Sequence, residues 1–253
     1  MRAWRDGAVI LAASVLACGL TQASDNNDLR RLLAGEDCVK CDLREADLKG
    51  LDLSGRDLAG AFMERVDLSG ANLRGANLSG AKLTKAALRR VDARGASFVI
   101  TDLESADLSG ASLAGSDFSR ARAPEAVFSN TSARKACFKG TKLRAAKFID
   151  ADLEAVDMSG IKAPAADFSR AKLNGAVFAK ANLSGVKFDD AKANDVDFSR
   201  ANLWKAKLRT AMLTGASFAR ANLRIAKLPA NTAGLDLCAA TLPDGSLSQE
   251  GCP

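Results

Sequence analysis

Ala71-Asn72-Leu73-Arg74-Gly75 is followed at once by Ala76-Asn77-Leu78-Ser79-Gly80, the same pattern twice in ten residues. Working outward from this pair, the chain divides from Cys41 to Ala230 into 38 blocks of five without one insertion or deletion. The middle residue of each block, here called the centre, is apolar in all 38: 21 Leu, 10 Phe, 5 Ala and 2 Met. The residue two before the centre is Ala in 25 blocks, and only Arg56 is charged there. The residue just before the centre is often Asp or Asn, as in Ala106-Asp107-Leu108. The two positions after it are mostly Ser, Arg, Lys or Gly.

A period of five is neither helical nor that of a simple strand. Each step of five drifts ~140° around an α-helix, so no helical face stays apolar. Five residues must instead form one side of a coil, with two positions turned inward. The blocks at 71–80 resemble the A(D/N)LXX consensus of the pentapeptide-repeat family. The resemblance covers 190 of 253 residues. It implies an all-β fold, a right-handed quadrilateral β-solenoid with twenty residues per coil, so that 38 blocks give about 9.5 coils. Stacked at ~4.8 Å, these would make a rod of roughly 45 Å.

The large side chains provide an independent check. All ten central Phe residues fall at positions ending in 8, from Phe98 to Phe218. All five central Ala residues fall at positions ending in 3: Ala93, Ala123, Ala133, Ala163 and Ala193. This period of ten requires an even number of sides; the number four comes from the resemblance. A bore of fixed volume is expected to place a small residue beside each large ring.

Residues 1–23 read as a signal peptide: Arg2 and Arg5, an uncharged apolar run from Gly7 to Leu20, then Thr21-Gln22-Ala23 before Ser24. The run is short for a membrane helix, which needs ~20 residues. A retained anchor and lipid attachment at Cys18 are the alternatives. Export, with a periplasmic destination, is the expectation. Residues 24–253 carry 34 basic and 29 acidic side chains, a net of +5. The charge is uneven. Residues 41–117 carry 10 basic and 12 acidic side chains, and residues 118–230 carry 21 and 10.

A solenoid exposes unpaired backbone at its terminal coils and needs caps. Residues 24–40 are assigned to an N-terminal cap. Within it, 28–36 read as a short amphipathic helix with Leu29, Leu32 and Leu33 on one side. The pattern stops after Ala230, and 231–253 are assigned to a C-terminal cap. There Pro243-Asp244-Gly245 makes a turn between Cys238 and Cys252. Similar tails end other members of the family. In an oxidising compartment a Cys238–Cys252 disulfide is expected, with two free thiols as the alternative. Cys38-Val39-Lys40-Cys41 is a lone CxxC. A structural disulfide is favoured over a redox couple or half a zinc site, because the chain has no His. Cys137 is the odd cysteine, expected to remain a thiol.

No catalytic constellation, phosphate loop, metal set or cofactor motif stands out. The lack of His removes the usual base for a Ser or Cys nucleophile. The Asp ladders follow the repeat and read as turn formers. The candidate interaction residues are basic columns at twenty-residue spacing: Arg120, Lys180, Arg200 and Arg220; Arg122, Lys142 and Lys162; Lys187, Lys207 and Lys227. Trp204, one past a centre, is expected at the surface. These features point to a non-enzymatic exported scaffold that binds a protein or an anionic envelope polymer, with a homodimer left open. Polyanion or nucleic-acid binding through the basic half is the alternative. The resemblance also implies, for some cytoplasmic members, DNA mimicry acting on topoisomerase. That role needs an acidic rod, which this basic chain does not supply.

Overall fold

The fold follows from where each block sends its five amide hydrogens. The computed structural model describes residues 27–252, so the signal-peptide reading of 1–23 and Cys18 lie outside the described residues. Every coil pairs with the next through parallel bridges twenty residues apart, from Asp42↔Phe62 to Lys207↔Lys227. The solenoid therefore has four sides. Side 1 holds blocks 41–45, 61–65 and onward; sides 2, 3 and 4 begin at 46–50, 51–55 and 56–60.

Within a block the first amide closes a turn onto the preceding centre, as Ala46 N–H does to the Leu43 carbonyl at 3.2 Å. The second points back one coil: Phe62 N–H donates to Cys41 at 2.8 Å. The third and fifth point forward one coil, as in Leu43 to Phe62 at 2.7 Å and Glu45 to Glu64 at 3.0 Å. Only the fourth lacks a backbone acceptor in this scheme. The Asp or Asn of the same block supplies one: Asp52 Oδ1 accepts from Ser54 N–H at 3.0 Å, and Asp67 Oδ1 from Ser69 at 2.9 Å. The frequent Asp and Asn before the centre thus complete the backbone account.

The turn also sets the fifth residue. Its φ is positive, as at Gly75 (63°) and Arg120 (58°), while the fourth residue is not left-handed. That combination is a type II turn, which favours Gly or Asn at this position. Ile100 and Ile225 adopt it as well, at φ 59° and 60°, despite their β-branches.

The core is the bore. The centres from Leu43 to Phe218 are buried, together with the residues two before them from Ala61 onward. Phe centres line the opposed sides 2 and 4 and stack along the axis; Phe118 and Phe138 have centroids 4.7 Å apart and planes 4° apart. Across the bore they meet edge-on, Phe128 against Phe138 at 5.7 Å and 83°. Both geometries suit the ring quadrupole. The small-beside-large expectation is relaxed in places. Leu143 lies between Phe138 and Phe148, and Leu183 between Phe178 and Phe188, in sequence and all fully buried.

The ends differ from the sequence expectation in three ways. The coil begins one block early: Cys38 is a buried centre donating to Asp57 at 2.8 Å, and Lys40 takes the left-handed fifth position. The helix α1 spans Asn27–Leu33, shorter than the expected 28–36. It closes in a Schellman arrangement at Gly35, where Gly35 N–H bonds Leu32 at 2.9 Å and Glu36 N–H bonds Arg31 at 3.1 Å. Leu32 is buried and Leu29 packs on the core, but Leu33 is 50% exposed, because so short a helix covers the mouth with one narrow stripe. Asp28 stands in for a missing coil, its Oδ2 accepting from Asp42 N–H at 2.9 Å.

The coil pattern also continues past Ala230. Residues 231–234 replace a block with four residues, and the bridges resume at nineteen, Ser217↔Asp236 and Asn222↔Thr241. Leu235 and Leu237 then enter the core. The tail turns at 243–246 and pairs antiparallel with the last coil, Thr241↔Leu247, so that the sheet edge is covered. Disulfides join Cys38 to Cys41 and Cys238 to Cys252. Among the described residues no helix is long and apolar enough to cross a membrane.

Candidate interaction surface

The bore is filled, so any contact with a partner must use the outer faces and corners of the rod. The residues available there are the second, fourth and fifth of each block. The Cys38 and Cys41 side chains are bonded to each other and buried, which removes them from redox or zinc chemistry in this state. Cys137 is a free thiol on side 4, half-buried, with Ser119 Oγ at 3.2 Å. Among the described residues no group of three or more His, Cys, Asp or Glu side chains could hold a metal ion.

The basic columns fall on definite edges. Lys180, Arg200 and Arg220 are exposed in consecutive coils at the corner between sides 4 and 1. Arg120 shares that corner but is parted from Lys180 by Gly140 and Gly160, so four residues do not form one patch. Arg122, Lys142 and Lys162 are bridged in succession down the middle of side 1. Arg122 is engaged there by Asp102 at 3.0 Å and by Glu104, whose hydrogen bond helps raise the guanidinium pKa. Lys187, Lys207 and Lys227 run down side 2, Lys187 pairing with Asp167 at 3.1 Å. Beyond Lys187, no basic residue has an ion-pair partner among the described residues.

Ion pairs instead run from the first coils up to Lys187, including Arg134, Lys139, Arg144 and Arg170. Arg65 pairs with Glu45 at 3.1 Å and Lys49 with both Asp47 and Asp67 at 3.3 and 3.2 Å. Two of the turn aspartates, Asp107 and Asp167, have lowered pKa values. Burial alone would push the Asp107 carboxyl up, but hydrogen bonds from Ser109 and Arg89 overcome it and hold it below the usual range. Asp167 shows the same balance, with Ser169 and Lys187 as donors. These groups are turn and ladder elements with depressed pKa values, not poised acids.

Trp204 is 39% exposed, and the Lys205 ammonium lies 4.0 Å from its ring centroid. It stands at the corner between sides 1 and 2. Ile225, 57% exposed, occupies the same corner one coil on, where Lys205 N–H donates to the Arg224 carbonyl at 3.0 Å. Sequence reasoning missed Ile225; its signal was a β-branched apolar residue at a position that calls for Gly or Asn.

The comparisons agree with this geometry. No curated protein matches the chain. Among solved structures, QnrB1, a plasmid-mediated fluoroquinolone resistance protein in a trypsin-treated variant, aligns at TM-score 0.55 and 18% identity, over 78% of this chain and 90% of its own. HetL, a pentapeptide repeat protein involved in heterocyst differentiation regulation from Nostoc sp. strain PCC 7120, aligns at TM-score 0.35 and 27% identity, over 87% and 97%. A pentapeptide repeat protein from the Arabidopsis thaliana thylakoid lumen aligns at TM-score 0.27 and 23%, over 62% and 70%. The family model described as pentapeptide repeats matches overlapping stretches from 37–75 to 194–228, together covering 37–160 and 165–228. With the four-sided solenoid on the page and most of the sequence matched, the chain belongs to the pentapeptide-repeat family, whose fold is a right-handed β-solenoid.

Proposed function

We propose that this protein is a non-catalytic, exported scaffold whose rigid rod presents flat faces to a protein partner. The single observation that carries the reading is the filled bore. The centres from Leu43 to Phe218 are buried, so the described residues offer extended surfaces and no enclosed site for a substrate. The two disulfides suit an oxidising compartment, which supports export. The charge distribution favours a partner met on the end of the rod beyond Lys187, where among the described residues the basic groups stand without ion-pair partners.

The test is a pull-down from the envelope fraction with residues 24–253 as bait, alongside alkylation of the native protein. The expected result is retention of an envelope protein and alkylation of Cys137 alone. Recovery of cytosolic DNA-processing enzymes only, four further alkylated cysteines in the native protein, or hydrolase or thiol-exchange activity in the pure chain would each overturn the reading.

A further inference from the structure

Side 1 of the second half differs from the other three. Beyond Glu125, whose carboxylate holds Arg144 at 2.7 Å, its five blocks 141–145, 161–165, 181–185, 201–205 and 221–225 contain Lys142, Arg144, Lys162, Lys205 and Arg224 and no acidic residue. Over residues 131–230 the other sides each mix signs: side 2 has six basic and four acidic residues, side 3 four and three, side 4 four and two. A solvated surface kept soluble by charge would interleave both signs on every side. Here one face excludes them.

The edges of side 1 strengthen the asymmetry. Lys180, Arg200 and Arg220 flank it at one corner, and Lys207 and Lys227 lie just beyond the other. Down the middle runs an amide ladder, Asn222 Nδ2 donating to Asn202 Oδ1 at 3.1 Å and Asn202 to Asn182 at 3.4 Å. The ladder keeps the face flat while leaving amide edges for a visitor. The five coils extend about 20 Å along the axis.

One corner of this face is apolar. Trp204 and Ile225 share that corner in successive coils and are exposed, and Ile225 holds a left-handed backbone that its β-branch disfavours. Nothing in the coil requires an aliphatic side chain there. Arg and Trp are what protein interfaces concentrate, with charged groups steering the approach. An anionic polysaccharide or a nucleic acid would satisfy the basic groups, but would leave Ile225 without an apolar partner.

We infer that side 1 between residues 141 and 225 is the docking face, and that its occupant is an acidic protein surface bearing an apolar side chain that seats against Trp204 and Ile225. The inference rests on the scaffold reading and names where and with what the scaffold binds.

The test uses four defined probes at 0.15 M salt, which screens charges beyond about 8 Å. They are a random Glu/Tyr copolymer, poly-glutamate, heparin and duplex DNA. The chain should bind the copolymer more tightly than poly-glutamate. Trp204→Ala with Ile225→Ala should weaken the copolymer about tenfold and heparin by less than about twofold. Arg200→Glu with Arg220→Glu should abolish both, whereas Lys172→Glu with Lys192→Glu on side 3 should change binding by less than about threefold. All these side chains are exposed, and circular dichroism checks that each variant is folded. Tighter binding of heparin or DNA than of the copolymer would assign the face to polymeric anions and overturn the inference. So would an unchanged affinity in the Trp204/Ile225 variant, equal losses from the side 3 reversal, or no binding of any probe. The scaffold reading is judged separately by the envelope pull-down, so a partner retained equally by wild type and side 1 variants would sink this inference and leave that reading standing.

Discussion

Phe178 and Phe198 stack with centroids 5.3 Å apart and planes tilted by 22°, whereas Phe98 and Phe118 stack at 4.5 Å and 0°. The cause is volume. Between Ala163 and Ala193 three rings and two leucines follow one another, Phe168, Leu173, Phe178, Leu183 and Phe188, whereas the run from 138 to 158 holds two rings and Met158 and keeps its rings parallel. Close-packed interiors answer such overfilling by moving side chains off their best geometry. Leu183→Ala is therefore expected to cost about 2 kcal/mol, the low end for a buried Leu, because the rings can relax into the space. Leu143→Ala, among parallel rings, should cost more. Urea denaturation of the two variants checks the order, and a larger loss at 183 would contradict it.

Ile100 holds φ at 59° while 61% exposed, so its side chain gains little and its backbone is strained. Left-handed geometry costs an ordinary residue ~1–2 kcal/mol, and Asn tolerates it. Ile100→Asn should raise stability by about 1 kcal/mol and increase Tm. An unchanged or lower Tm would mean that the turn has another source of support.

Acid sensitivity follows from the aspartates. Asp107, Asp157 and Asp167 are held below the usual carboxylate pKa by hydrogen bonds that outweigh their burial. A depressed folded pKa contributes stability that is present above the unfolded value, ~3.9, and is lost as pH falls through the folded value. Stability should thus be flat from pH 8 to 5 with respect to these groups and decline below ~4. Asp107→Asn keeps an acceptor for Ser109 N–H, so at pH 7 it should cost less than about 1 kcal/mol, the exposed Arg89 pair being weak. The variant should also show a shallower acid decline.

The C-terminal clasp should act locally. Each coil contacts only its neighbours, so loss of a cap frays one end. Cys252→Ser opens a loop whose closure contributes ~3 kcal/mol in the chain-entropy model. Hydrogen exchange should accelerate at Leu242 and Ser248, whose amides bond Ser246 and Ala240, and remain unchanged at Leu103. Faster exchange at Leu103 would show that the rod unfolds as one unit.

The bore was legible in the sequence because a strict period exposes itself: centres such as Leu73 and Phe128 recur without a gap. The role of Asp52 or Asn72 was legible as turn chemistry, though the orphan amide it serves needed coordinates. Other features were hidden by small departures. Leu235-Asp236-Leu237 obeys the pattern one residue out of step, so a scan at fixed spacing ends at Ala230. Cys38 is a centre that does not look like Leu or Phe. Leu33 matched a helical stripe, yet α1 was too short to bury it. The acid-free stretch of side 1 beyond Glu125 could not be read without four sides in hand, since Trp204 and Ile225 lie 21 residues apart and share a corner only when twenty residues make one turn.

Spin-label distances along one corner test the central claim most directly. Lys40, Arg120 and Arg220 occupy the same exposed corner, four and five coils apart. With Cys137 replaced by Ser, labels at 40 and 120, 120 and 220, and 40 and 220 should lie about 19, 24 and 43 Å apart, rising linearly with coil number at ~4.8 Å each. Distances that fail to add along a line, or that bring 40 and 220 closer than 120 and 220, would contradict a stacked four-sided rod.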